Sequence, residues 1–217
     1  MTSLAMTIEA EPRPDPKRRS VRSQETRERI LQAALKAFSE SGFDGASTRQ
    51  IAALAGESQG LVTYHFSTKE DLWKAAVDSL FGPFTEELNA RKAALAEVDI
   101  RTRLRLLLVF FVRHAAKHPE QNRLMMQEAQ SETPRMRYIA ETYLKDQYEF
   151  ACGVLREAID AGLLPPAPHI HYFYIVVGAC SRLFTATSEC KYLTGDDAMS
   201  PAMIEAHAEA VANLIIR

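Results

Sequence analysis

The sequence is poor in cysteine, with only Cys152, Cys180 and Cys190 in 217 residues. They are odd in number, widely spaced and form no C-x-x-C pair, which argues against a disulfide framework and against a zinc site, so all three are read as reduced thiols. Long apolar runs are also missing. The longest, Leu106 to Val112, falls far short of the ~20 residues that cross a bilayer, and charges bracket it. No membrane span is predicted. The first residues carry Pro12, Pro14 and Pro16 among charges where a signal peptide has an apolar stretch, so a cytoplasmic location is expected. There is no alternating strand pattern and no internal repeat, and the H-E-x-x-H, G-x-G-x-x-G and P-loop patterns are absent. Neither an enzyme nor a metal or cofactor site is expected.

What is present is an uneven charge distribution and a strong helical rhythm. The net charge is only -2, yet from Lys17 to Lys69 nine Lys/Arg stand against five Asp/Glu, +4, which leaves -6 for the rest. Residues 1–22, with their prolines, Lys17-Arg18-Arg19 and Arg22, have too little apolar content for a core and are predicted to form a disordered basic arm. Such an arm serves either as a solubilising tail or as a phosphate or minor-groove contact.

From Ser23 the pattern is helical. Ile30, Leu31, Ala34, Leu35 and Phe38 recur at spacings of three and four until Gly42 supplies a stop. Ser47 and Gln50 have capping-box spacing before a short helix carrying Ile51, Leu54 and Ala55, which Gly56 closes. Ser58 caps a third helix running to Phe66. Ser67 with Glu70, or Thr68 with Asp71, then opens a long amphipathic helix, 69–95, with Leu72, Trp73, Ala76, Leu80 and Phe84 on one face. Further helices are predicted near 101–118, 120–131, 134–162, 169–188 and 201–216, punctuated by Pro119, Pro134, Gly162, the proline-rich 165–168 and Ser200-Pro201. The fold class is therefore all-α. An N-terminal three-helix unit, 23–68, is joined through helix 69–95 to a larger helical body within 69–217.

Two short capped helices joined by a glycine-bearing turn are the geometry of a helix-turn-helix, whose second helix enters the DNA major groove. At about 100° per residue, Val62 and Phe66 point inward, Gly60 and Tyr64 outward, and Leu61, His65 and Thr63 flank the outward face. Gln59 lies at the tip, where it can pair with adenine, while Leu61 or the Thr63 methyl can touch a thymine methyl. Lys69 in the first turn of the next helix opposes the helix dipole by a few tenths of a kcal/mol, a penalty that a phosphate would reverse. Thr48 and Arg49 begin the second helix, where free N–H groups favour phosphate.

The stretches TRERILQAALKAFSESGFDGASTRQIAALAG and SQGLVTYHFSTKEDL, between Thr26 and Leu72, resemble the DNA-binding domain of the TetR/AcrR family of bacterial regulators. The resemblance implies an all-helical dimer that represses DNA when free and releases its operator when a small molecule binds. Position by position it assigns DNA contacts to Thr48, Arg49, Gln59, Gly60, Leu61, Thr63, Tyr64, His65 and Lys69. Two positions depart from the family pattern: Glu57 stands where a small apolar residue is usual, and Thr63 where many members carry an aromatic.

In the body, Phe110, Phe111, Met125, Met126, Phe150, Tyr172 and Tyr174 are each ordinary core residues in one reading and walls of a ligand cavity in the other. His114 joins this candidate set. With His118, four residues on, it has the spacing of a metal pair, but no third ligand follows. Arg182, in a mostly apolar segment, is either an anchor for an acidic ligand group or half of an ion pair. Family resemblance makes the helices near 169–188, with Gly178, Ala179 and Ala186, and 201–216, with Ile204, Ala208, Val211 and Ile215, the homodimer interface; internal packing is the alternative. A constitutive DNA-binding regulator without a ligand is the competing functional reading.

Overall fold

The computed structural model describes residues 16–217, with side chains from Ser20 onward. Among the described residues there are helices, turns and loops but no strand. The N-terminal helices are α1 (Pro16–Gly45), α2 (Thr48–Ala55), α3 (Gln59–His65) and α4 (Lys69–Ala94). Their limits are set by local chemistry. The Ser47 hydroxyl accepts the Gln50 N–H at 3.1 Å and the Ser58 hydroxyl that of Leu61 at 3.2 Å, satisfying N–H groups that a helix start leaves unpaired. Of the two boxes available before α4, the one formed is Thr68 with Asp71, bonded reciprocally at 3.0 and 3.1 Å. Gly42 breaks α1 with φ +71°, and Gly56 closes α2 at φ +68°.

Residues 16–22, predicted as part of a disordered arm, instead form the opening turns of α1, where Pro16 suits a first helical position because its missing N–H would have no partner there. The rest of the predicted arm lies outside the described residues.

The body comprises α5 (Ile100–Lys117), α6 (Pro119–Glu128), α7 (Pro134–Ile139), a π-helical turn (Ala140–Leu144), α8 (Lys145–Asp160), α9 (His169–Thr185), α10 (Thr187–Thr194) and α11 (Pro201–Ile215). The stretch predicted as one helix over 134–162 thus contains a π turn. The helix predicted to reach 188 breaks at Ala186, and α10 follows, a helix that periodicity does not reveal. The Ser181 and Thr185 hydroxyls bond back to the carbonyls of Val177 and Arg182 near that break, competing with the regular ladder.

Two apolar cores divide the molecule. One gathers α1 to α4 around Phe38, Ile51, Val62, Leu72 and Trp73, and it also takes in Leu124 from α6 and Ile139 from α7. The other joins α5, α8, α9 and α11 around Val112, Ala158, Cys180 and Phe184. Phe84 and Leu88 of α4 with Phe110 of α5 make a smaller cluster. The helix-turn-helix is therefore continuous with the body, because α4 runs on into the Phe84–Phe110 cluster and α6 puts Leu124 into the first core.

A polar clasp fastens the same junction. Asp78 on α4 accepts hydrogen bonds from the hydroxyls of Tyr138 and Tyr143, each at 2.6 Å. Burial, reinforced by the carboxylate, pushes the Tyr138 hydroxyl up to about 12 and that of Tyr143 higher still, so both stay protonated donors. Asp78→Ala should lower stability by about 1–3 kcal/mol by leaving two hydroxyls without their acceptor. Tyr138→Phe, which leaves one bond, should lower it less. The urea midpoint followed by fluorescence of Trp73, the single tryptophan, which is buried beside Tyr138, measures both.

Candidate nucleic-acid interface and apolar cavity

Helix α3 sorts its side chains by face as its periodicity predicts. Val62 and Phe66 are buried, while Gln59, Gly60, Thr63 and Tyr64 are exposed and Leu61 and His65 intermediate. Tyr64 is 77% exposed, its ring set edge-on to His65 at 5.2 Å, a large amphipathic side chain held without covering anything in its own chain. The Thr63 hydroxyl donates to the Gln59 carbonyl at 3.1 Å. Thr48 and Arg49 sit in the first turn of α2, and Lys69 in that of α4, with its ammonium over the Phe43 ring at 4.5 Å. All nine residues singled out from the sequence thus belong to the turn, α3 or a helix start next to it.

Glu57, the unusual turn residue, is occupied: its carboxylate pairs with Arg29 on α1, which also bonds the Thr26 hydroxyl at 2.9 Å. It braces the turn against α1. Gly56 to Gly60 matches the G-x-S-x-G spacing of a hydrolase elbow, yet Ser58 follows a helix where the elbow needs a strand, and its hydroxyl caps α3.

The second feature is a cavity of about 320 Å³ lined chiefly by α4, α5, α6, α8 and α9, with Met136 of α7 and Leu144 of the π turn. Phe81, Phe84 and Leu88 of α4 form one wall, and Phe110, Phe111 and His114 of α5 another. Met125, Phe150 and Tyr174 line it too, so six of the nine candidate ligand residues meet there. Three do not. Met126 faces solvent one residue from Met125; Tyr172 turns its hydroxyl to the Pro165 carbonyl at 2.8 Å; and Arg182 pairs with Glu189 at 2.6 Å on the surface, an ion pair and no ligand anchor. Sequence reasoning misses Gln121, Asn122 and Gln147. Gln121 carried a signal, since Gln121, Leu124 and Glu128 follow one another at helical spacing and all three are buried, which puts a polar residue on the inward stripe of α6.

His114 and Gln121 meet inside, Nε2 to Oε1 at 2.8 Å. The imidazole is held below its ordinary 6.5, chiefly by burial and further by the nearby His118 and Lys117, against opposing effects of Gln121 and Glu87. His118 bonds Glu120 at 3.2 Å, and among the described residues no three metal-ligating side chains cluster.

The stripe Ile204, Ala208, Val211 and Ile215, read as an interface face, packs into the body core of its own chain. Beside it on α11, Ala202, Ala206, Ala210 and Leu214 are exposed, as are Ile175 and Gly178 on α9 and Tyr192 and Leu193 on α10.

A neutral buried imidazole makes stability depend on pH with a definite sign. Below about 6.5 the unfolded chain takes up a proton that native His114 resists, so its penalty grows as pH falls from 6.5 toward the depressed native value and is absent above 6.5. His114→Gln should therefore lose less stability than the parent protein between pH 7 and pH 5.5, as read by urea midpoints at each pH.

Comparison with known proteins places these features. Residues 30–76 match the family of bacterial regulatory proteins, tetR family, and residues 97–217 the tetracyclin repressor-like C-terminal domain. The HTH-type transcriptional repressor NicS of Pseudomonas putida is 31% identical over 144 residues, 66% of each chain, just under two thirds of that protein. The HTH-type transcriptional regulator RutR of Escherichia coli is 25% identical over 190 residues, 86% of this chain and 87% of that one. The crystal structure of HlyIIR, a hemolysin II transcriptional regulator, superposes with a TM-score of 0.65 at 23% identity over 87% of this chain and 97% of that one, which shows a common fold. Among the described residues no helix is long and apolar enough to cross a membrane. With both segments matched, the second covering more than half of its length, the chain belongs to the tetR family of bacterial regulatory proteins, DNA-binding transcriptional regulators that dimerise.

Proposed function

We propose that this protein is a repressor that leaves its operator when a small molecule fills the cavity between α4, α5, α6, α8 and α9. The observation that carries the reading is a shared wall. Phe81, Phe84 and Leu88 line the cavity from α4, the helix whose first turn holds Lys69. Gln121 and Met125 line it from α6, which packs on α1 and sends Gln127 to the Ser39 carbonyl at 2.9 Å. A molecule that moves α4 or α6 therefore moves the helices that carry α3. In a dimer reading two half-sites ~34–36 Å apart, a modest change in spacing breaks simultaneous fit. Such a regulator works in the cytoplasm, on the nucleoid while bound.

In this reading α1–α3 are the DNA-binding unit and α4 the connector. Gln59, Gly60, Leu61, Thr63, Tyr64 and His65 meet the major groove, with Thr48, Arg49 and Lys69 on phosphates. The dimer forms through the outer faces of α9 and α11, where the alanine stripe and Gly178 let backbones approach closely and Ile175 and Leu214 supply apolar area, with α10 beside them.

Operator selection with the purified protein tests the DNA half. Gln59→Ala should relax preference at one base position by about 1–3 kcal/mol, and Lys69→Ala should weaken all sequences alike and make the salt slope shallower by about one. Equal affinity for random and selected DNA would sink the reading. A screen for compounds that both raise the melting temperature and release operator separates it from a constitutive regulator, for which none exists.

The interface has its own test. Ile175→Glu with Leu214→Glu should shift the protein from dimer to monomer in light scattering and weaken operator binding, while leaving the melting of the monomer within a few degrees.

A further inference from the structure

The polarity of the cavity identifies the kind of molecule it takes, an inference that rests on the effector-release reading above. Its lining is almost wholly hydrocarbon and contains no Asp, Glu, Lys or Arg. A carboxylate or ammonium drawn inside would lose water and meet no opposite charge, which disfavours it strongly. Cations do stand nearby, but outside the wall: Arg91 lies over the Phe110 ring at 4.1 Å and Lys92 over the Phe150 ring at 4.6 Å, with Arg91 also bonded to Glu87. Arg91 keeps a buried Nε without a hydrogen-bond partner, but neither cation lines the cavity, and both reach the lining rings from the side of α4.

The polar side chains on the lining are Asn122, Gln147, the exposed Tyr174 and the His114–Gln121 pair, of which only the pair is buried. Whichever way the amide and the imidazole proton are arranged, the bond between them uses one donor and one acceptor, and both donors and acceptors are left over. With Nε2–H donating to Gln121 Oε1, the remainder is His114 Nδ1 and a second carbonyl lone pair as acceptors and the two Gln121 amide N–H groups as donors. In the reverse arrangement it is Nδ1–H and one amide N–H as donors and the Gln121 carbonyl as acceptor. Neither ring nitrogen nor amide has another protein partner among the described residues. Gln147, by contrast, already donates to the Thr85 hydroxyl at 3.0 Å. A corner with free donors and free acceptors and no net charge is complementary to a group that itself donates and accepts while neutral.

We infer that the cavity takes an uncharged, largely hydrocarbon molecule whose single polar head is a hydroxyl or primary amide seated at His114 and Gln121. The remainder of the molecule lies among the phenyl rings of Phe81, Phe84, Phe110, Phe111 and Phe150. This predicts that ligands of equal length are ranked by head group, with alcohol and amide above carboxylate and ammonium.

The test uses the intact protein and two matched series, 1-decanol, decanamide, decanoate and decylamine, and 2-naphthol, 2-naphthamide and 2-naphthoate. Binding is read by calorimetry and operator release by fluorescence anisotropy, both at pH 7.5. In at least one series the neutral members should bind tenfold or more tighter than the charged ones. Gln121→Leu and His114→Leu should each erase that preference for the head group, read as the ratio of alcohol to carboxylate affinity within the same variant. Gln121→Glu, which puts a charge in the corner, should favour the decylamine. Carboxylates binding tighter than alcohols, with the advantage lost in Arg91→Ala, would overturn the inference and place the head group at the rim. Absence of binding by every member of both series would overturn it as well. Tight binding of neutral members without operator release supports the assigned chemistry and counts only against the release reading, so the two can fail separately.

Discussion

The burial of α6 against α1 is the constraint on which the rest of the arrangement depends. Leu124 sits in the same apolar core as Phe38, Trp73 and Val77, and Ile139 enters it from α7. Each such side chain contributes roughly 1.5–3 kcal/mol by leaving water, so the body cannot be lifted from the helix-turn-helix without large loss. Polar bonds fix the angle of this seam. Gln127 donates to the Ser39 carbonyl near the end of α1, and at Gly42 an added Cβ would stand 2.7 Å from the Gln127 amide oxygen. Glycine is required there for its positive φ, and an added Cβ would also push the flexible end of Gln127 aside. Close by, buried Glu128 holds Arg135, whose guanidinium lies over the Phe43 ring at 4.1 Å, and Lys69 sits on the same ring. A displacement of α6 therefore meets both the end of α1 and a cation beside the recognition helix.

Such a seam also explains which parts of the structure are legible in the sequence. Helices α1 to α4 are, because their limits depend on contacts within a few residues: Ser47, Ser58 and Thr68 as caps, Gly42 and Gly56 as stops. The outward face of α3 follows from periodicity alone, since Val62 and Phe66 leave only one way for the short helix to dock. Cavity residues are harder. Met125 and Met126 are chemically identical neighbours, and only the rotation of α6 about its axis, set by α1, decides that Met125 lines the space and Met126 meets water.

The α11 face shows a related limit. Its most apolar stripe, Ile204, Ala208, Val211 and Ile215, is recruited by its own chain, because an intramolecular core has first claim on the largest side chains. What remains outside is the alanine stripe ending in Leu214, weaker in hydropathy and easily passed over, though small residues are what close approach of two helices requires. For Arg182 the sequence leaves a ligand anchor and an ion pair open, and it is the pair because Glu189 lies on a helix, α10, that periodicity does not reveal.

The cavity itself bears on how release must work. A ligand seated in the cavity adds dispersion contacts to the lining side chains, so it stabilises the protein in whichever arrangement of α4 and α6 it fits best. Stabilisation alone moves nothing. Only the difference in affinity between the arrangement that fits DNA and the one that does not can shift the population, and a compound equally at home in both would raise the melting temperature while leaving the operator occupied. Because the polar corner joins α5, through His114, to α6, through Gln121, a head group seated there draws on the spacing of those two helices directly. A purely hydrocarbon filler touches the same walls without that grip, which makes the head group, and not the volume filled, the feature through which binding reaches α6 and then α1.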